Sequence, residues 1–267
     1  MKRKIFLGII LILIVLILTG CKDSSINENV VYTSSKNQTE TEEQIKNEKE
    51  EEKKEEMITI DYKKAAEEQM KIPEAGETIA TIKVKNFGEI KVKFFNDVAP
   101  KAVENFVTHA KNGYYDGTTF HRVMEEFMIQ GGDPLGNGTG GESIWNKGFG
   151  EEIDANIVPY KGALCMASRG TGTSSIGSQF FIVQANYSES MAGILKQYGF
   201  DEILLEQYKK YGGYLSLYGG YTVFGQVFEG IEVVDTIAKV EKQESVTGEL
   251  SVPVEQVIVE KITISEY

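Results

Sequence analysis

The chain has 267 residues, a formal net charge of -12, two cysteines and two histidines. That length suits one large domain with appendages, because single hydrophobic cores stop growing near roughly 250 to 300 residues. The acidic balance excludes a general affinity for nucleic acid or an anionic membrane surface, both of which need a basic footprint. Cys21 and Cys165 lie in unlike surroundings and only His109 and His121 accompany them, so neither a disulfide framework nor a zinc cluster is expected.

Lys2, Arg3 and Lys4 precede an apolar run from Ile5 to Leu18, shorter than the about 20 residues a membrane span needs and suited to a signal-peptide core. Leu18, Thr19, Gly20 and Cys21 follow, and these four positions resemble the bacterial lipobox. The resemblance implies a lipoprotein signal peptide over residues 1–21, lipidation of Cys21, and a lipid-anchored protein facing the extracytoplasmic side of the cell membrane. At about 0.8 kcal/mol per buried methylene, two acyl chains anchor stably where one is marginal. Residues 22–76 read as a charged flexible tether, dominated as far as Lys71 by Glu, Lys, Ser, Asn and Thr. Like charges four apart at Lys49/Lys53, Glu51/Glu55 and Glu52/Glu56 oppose a helix there, and Glu50/Lys54 alone favours one. A coil of about 50 residues spans about 40 Å, enough to hold a domain clear of the membrane.

Over residues 77–267 the pattern is globular. Ile82 and Val84 alternate with Lys83 and Lys85, and Ile90, Val92 and Phe94 with Lys91 and Lys93, which predicts a hairpin turning at Phe87 and Gly88. Pro100 suits a first helical position, Val103, Phe106, Val107 and Ala110 recur at helical spacing, and Gly113 supplies a stop. Further strand-like runs are Thr119 to Val123, Phe127 to Gly131, Ala163 to Ala167, Gln179 to Gln184, Thr222 to Val227 and Val257 to Ile264. A second helix is expected between Ile231 and Val240, with Val233, Val234, Ile237 and Ala238 on one face. Many short strands, glycine-rich connections and two good core helices favour a closed antiparallel barrel over alternating strand-helix units.

The run Phe120 His121 Arg122 Val123 Met124 Glu125 Glu126 Phe127 Met128 Ile129 Gln130 Gly131 Gly132 Asp133 resembles the cyclophilin signature. Gly136 to Gly141, Leu164 to Ala167, Gly177 to Ile182 and Tyr221 to Gly225 follow in that family's order, so the resemblance covers about residues 77 to 265. It implies a mostly β fold, a closed eight-stranded antiparallel β-barrel capped by two helices, and peptidyl-prolyl cis-trans isomerase activity without a cofactor. Proline-containing unfolded or exported polypeptides are the implied partners, bound in a groove outside the barrel of a monomer. By matching position Arg122 is the catalytic guanidinium and Gln130 its support, while Phe127, Met128 and Phe181 form the proline pocket. Gln179 and Ala167 line the same groove. Ser168 stands where the family usually shows asparagine and acts through its backbone; Tyr221 replaces a common histidine and keeps an aromatic wall. Leu217 is the pocket residue supplied by the segment 186–220, which is longer than the family's usual connection. A short helix is expected there over Asp201 to Tyr211, with Tyr198, Tyr211, Tyr214 and Tyr218 forming a flap that extends the groove.

The chemistry suits these residues. The barrier to rotating a peptide bond is about 18 to 20 kcal/mol, and before proline the two isomers differ by only about 0.5 to 1 kcal/mol. No bond breaks, so neither nucleophile nor metal is needed. In the twisted transition state the proline nitrogen regains its lone pair, and a permanently charged donor aimed there stabilises that state above the planar one. One preorganised donor contributes about 3 to 4 kcal/mol, whereas a 10⁵-fold acceleration needs about 7, so apolar positioning must supply the rest. A proline-peptide-binding module or holdase chaperone would share the barrel but have no need of Arg122 and Gln130. Phe180 and Phe181 must face opposite ways, His121 reads as structural and Cys165 as a buried apolar residue. The glycine loop from Gly131 to Gly141 lacks the Gly-Lys-Ser/Thr ending of a phosphate cradle.

Overall fold

The computed structural model describes residues 59–169 and 175–267. The expected signal peptide, Cys21 and most of the expected tether lie outside the described residues. Among the described residues ten strands follow in chain order: β1 Thr78–Val84, β2 Gly88–Phe94, β3 Arg122–Met124, β4 Met128–Gly131, β5 Ala163–Ser168, β6 Ile176–Val183, β7 Val223–Glu229, β8 Lys242–Glu244, β9 Leu250–Pro253 and β10 Val259–Glu266. Eight of them form one antiparallel sheet in the order β10-β1-β2-β7-β5-β6-β4-β3, and β8 pairs with β9 as a separate hairpin.

The expected hairpin is β1–β2, with Ile82 opposite Ile90 and Val84 opposite Gly88. Asn86 takes the left-handed conformation in its turn, at φ 67°. The sheet curls strongly, but its end strands β10 and β3 do not form a ladder with each other. The link between them is made by the segment before β3: Gly117 N donates to Val259 O at 2.8 Å and Phe120 N to Val257 O at 2.9 Å. The expected closed barrel is thus a curled sheet whose ends are joined by a short bridge, because Thr119 is engaged by isolated bridges to Asp133 and Ile258 rather than by a continuous strand.

Two helices cover the concave core as the apolar spacing requires. The first, Pro100–Lys111, carries proline at N1 and lacks a side-chain cap of its own. Glu152 supplies one from a distance, accepting from Lys101 N at 3.2 Å and Ala102 N at 2.9 Å. Phe106 from this helix meets Phe180 edge to face at 5.2 Å and Tyr115 at 5.2 Å inside the curl. The other capping helix, Ile231–Ala238, buries Val233, Val234, Ile237 and Ala238. It starts from Gly230 at φ 87°, where a side chain would strike the Glu89 carbonyl.

Three more helices form a lobe beside the sheet. In chain order the helices are α1 Tyr62–Met70, α2 Pro100–Lys111, α3 Glu189–Gln197, α4 Glu202–Tyr211 and α5 Ile231–Ala238, with a 3₁₀ turn at Leu215–Leu217. α1 corrects the expected tether over 22–76, since residues 62–70 belong to the folded body. Asp61 caps the helix by accepting from Lys64 N at 3.0 Å. Gln69, buried, pairs with the Val158 backbone in both directions, at 2.7 and 3.0 Å, and donates to Gln226 Oε1 at 3.1 Å. Polar composition concealed this helix, because two buried positions, Ala66 and Gln69, suffice to dock it. Together with α3 and α4 it encloses a second core of Ala66, Val158, Tyr160, Leu195, Leu204, Tyr208 and Leu215.

Candidate active site

Strand alternation divides β6 between two duties. Phe180 and Ile182 point into the core, while Phe181 and Val183 join Met128, Ala163, Cys165, Leu217 and Val223 in an apolar cluster on the outer face. Every residue of β6 is consequently buried. The registers bring the outer residues together: Arg122 lies opposite Gln130, and Gln130 opposite Phe181.

Nine of the ten residues expected around the substrate line one depression of about 120 Å³: Arg122, Phe127, Met128, Gln130, Ala167, Ser168, Phe181, Leu217 and Tyr221. Gln179 lines the adjoining depression of about 130 Å³, which shares Gln130, Ala167 and Ser168 with the first. Phe181 meets Tyr221 edge to face at 5.6 Å. Of the four tyrosines expected to form a flap, Tyr214 alone adjoins the depression, packing on Phe127 at 4.5 Å between centroids. Tyr198 is 77% exposed. Tyr211 packs on Tyr160, and Tyr218 donates to Ala155 O at 2.6 Å. The flap is therefore corrected to a packed lobe whose C-terminal turn delivers Leu217 and Tyr214. A larger cavity of about 440 Å³ lies under α1, with Lys93, Glu68 and Gln69 in its wall and none of the expected site residues.

A directional hydrogen-bond chain runs along the rim. Arg122 Nη1 donates to Gln130 Oε1 at 3.4 Å, Gln130 Nε2 to Gln179 Oε1 at 3.0 Å, and Gln179 Nε2 to the Gly138 and Gly140 carbonyls at 3.0 and 2.8 Å. Arginine can only donate and carbonyls can only accept, so both glutamine amides have one satisfying orientation. Arg122 Cζ also stands 5.7 Å from the Phe127 ring centre.

Sequence spacing missed the partner on the other side of the guanidinium. Glu249, in the turn between β8 and β9, accepts from Arg122 Nε at 2.7 Å and Nη2 at 2.8 Å. The Arg122 hydrogen bond lowers the Glu249 carboxyl to about 2, against the effect of burial. Glu249 is 127 positions from Arg122, and the turn residues Thr247 and Gly248 were its one sequence signal.

The glycine loop is occupied by its own carboxylate. Asp133 accepts from Leu135, Asn137 and Gly138 N–H groups at 2.8, 3.1 and 2.7 Å. Burial raises the Asp133 pKa, but these backbone donors outweigh it and hold the carboxyl below its ordinary range. Arg169, where a small residue is common in the family, donates to the Gly140 carbonyl at 2.6 Å and so braces the same loop. Burial lowers the pKa of His121, against the charge of Asp133, so the ring is neutral at pH 7 and no acid for catalysis. Burial likewise pushes the Cys165 thiol up, leaving it unreactive.

Fold and depression define a class: a curled antiparallel sheet carrying, on its convex side, an apolar groove edged by a fixed guanidinium. The family described as "Cyclophilin type peptidyl-prolyl cis-trans isomerase/CLD" matches residues 79–264. Relatives from Staphylococcus epidermidis and Staphylococcus haemolyticus, each named "Putative peptidyl-prolyl cis-trans isomerase", are 45% and 46% identical over 182 residues, spanning 68% of this chain and 89% and 88% of theirs. A crystal structure of a Cryptosporidium parvum cyclophilin type peptidyl-prolyl cis-trans isomerase superposes with a TM-score of 0.56 at 30% identity, covering 72% of this chain and 99% of that one. A second crystal structure of that protein, obtained in the presence of the dipeptide Ala-Pro, also has a TM-score of 0.56 and covers 71% of this chain. The chain belongs to the cyclophilin family, and it is a peptidyl-prolyl cis-trans isomerase.

Proposed function

We propose that this isomerase is lipid-anchored through Cys21 and accelerates the folding of exported polypeptides at the outer face of the cell membrane. Arg122 is the catalytic residue in this reading and Gln130 supports it. The observation that carries the site is the placement of one guanidinium edge beside an apolar depression lined by Phe127, Met128, Phe181 and Leu217. A prolyl ring in that depression would be stripped of water, which strengthens the donor's attraction for a nitrogen regaining its lone pair. Ala167, Ser168 and Gln179 flank the path the peptide backbone would take between the two depressions. Lys2 to Lys4, the apolar run after them and Leu18 to Cys21 support the anchor.

Arg122→Ala in the full chain should lower kcat/KM on a short Xaa-Pro peptide at least about tenfold, read by NMR exchange, with the protein still folded at the assay temperature. Equal rates would remove Arg122 from the mechanism. Protein taken from the membrane fraction of its host should carry diacylglycerol on Cys21 by mass spectrometry, and an unmodified Cys21 there overturns the anchor.

A further inference from the structure

We propose that Glu249 is a positioning residue for the isomerase reaction, gripping Arg122 so that a chosen edge of its guanidinium faces the prolyl bond. The inference rests on the reading of Arg122 as the catalytic residue. Glu249 binds through both oxygens, Oε1 to Nε at 2.7 Å and Oε2 to Nη2 at 2.8 Å, and such a two-pronged pair fixes the plane as well as the place of the group. Nη2 also reaches Met124 Sδ at 3.3 Å, and Nη1 reaches Gln130. A guanidinium has five N–H donors. Glu249 takes two, Met124 the second on Nη2 and Gln130 one on Nη1, so the donor these bonds leave uncommitted is on Nη1, away from Glu249 and next to Gln130 in the lining of the depression.

Glu249 can impose this geometry because its own turn is fixed. Ser245 N donates to Glu249 O at 2.8 Å, and Ser245 Oγ accepts from Thr247 N at 3.3 Å and Glu249 N at 3.2 Å. Gly248 sits at φ 81°, a conformation that side chains resist. β9 packs beside β3, the strand that carries Arg122. The carboxylate also offsets part of the positive charge that catalysis uses. Both side chains are 33% exposed, so solvent screens that offset, whereas a donor pointing the wrong way is not corrected by solvent. Orientation therefore outweighs neutralisation, and losing Glu249 should slow the reaction.

The test compares Glu249→Gln, Glu249→Ala and Arg122→Ala with wild type in the full chain, on one Xaa-Pro peptide. Glu249→Ala should lower kcat by about tenfold and Glu249→Gln by less, with KM within about twofold because the apolar lining is untouched. The Arg122 Nε–H signal in ¹⁵N NMR should exchange slowly in wild type and fast in both Glu249 variants, a change that a merely structural role in the hairpin would not produce. If both Glu249 variants turn over as fast as wild type or faster while Arg122→Ala is slow, the positioning role is wrong and the catalytic reading stands. If Arg122→Ala is as fast as wild type, the catalytic reading falls and takes this inference with it. Glu249→Gln keeps the side-chain size and decides the matter should the alanine variant not fold.

Discussion

The sector β3 to β6 lines the depression, the lobe of α1, α3 and α4 is linked to it by the turn Leu215–Leu217, and the two are built by opposite means. In the sector, one short run supplies two surfaces: Phe180 and Ile182 fill the core while Phe181 and Val183 face out. The lobe draws on segments far apart in the chain, 62–70 and 189–211, which bury each other and hand the site little beyond Leu217 and Tyr214. The difference teaches that the chemical edge of this site depends on local strand order, and that the fit of its outer wall depends on tertiary packing. The strongest way to break that division is Leu204→Ala, which empties a nearly fully buried position in the lobe core. A loss of about 2 to 5 kcal/mol is expected, and about 5 to 15 °C in melting temperature by calorimetry. Peptide kcat/KM at 25 °C should change less than about threefold if the lobe is scaffold rather than catalyst. A parallel collapse of kcat would show that the two regions act as one.

Tyr214→Ala sharpens the comparison from the other side. Its ring packs on Phe127, and such a pair contributes about 1 kcal/mol. We expect KM for a proline peptide to rise roughly fivefold with little change in kcat, and the melting temperature to fall by no more than about 4 °C. A change in kcat with KM constant would place Tyr214 on the chemical edge instead of the wall.

The same division explains what could be read from the chain. Arg122, Gln130, Phe127, Met128 and Phe181 are legible through the resemblance of their runs to the cyclophilin signature, and strand alternation accounts for the shared face of Met128 and Gln130 and for Phe181 facing away from Phe180. The eight strands of the large sheet are legible, with shifts of a few residues at their ends, and both core helices follow from apolar spacing. α1 was hidden because a docking helix with two buried positions looks like a polar tether. α3 was hidden because one buried residue, Leu195, anchors it. The β8–β9 hairpin was hidden because Lys242 to Glu244 has no apolar alternation to announce a strand. With that hairpin went Glu249, whose partner is joined to it by folding alone.

Acid should separate core from site, and by the smallest effect of the three. Burial lowers the pKa of His109 and of His121 below 6.5, so the unfolded chain binds more protons than the native one as pH falls past that value. Their contribution is present above 6.5 and declines below it. Glu249 is opposite in kind: its carboxyl is held at about 2 instead of 4.5, so the ion pair's contribution is complete above 4.5 and disappears as pH falls toward 2. Between pH 6.5 and 5 stability should therefore slip while the guanidinium stays gripped. Urea unfolding at pH 8, 6.5, 5.5 and 5 should give a falling midpoint below 6.5, and kcat on a peptide free of titrating groups should stay level over the same range. A kcat that falls in step with the midpoint would mean that the buried histidines, and His121 beside Arg122 above all, govern the site as well as the core.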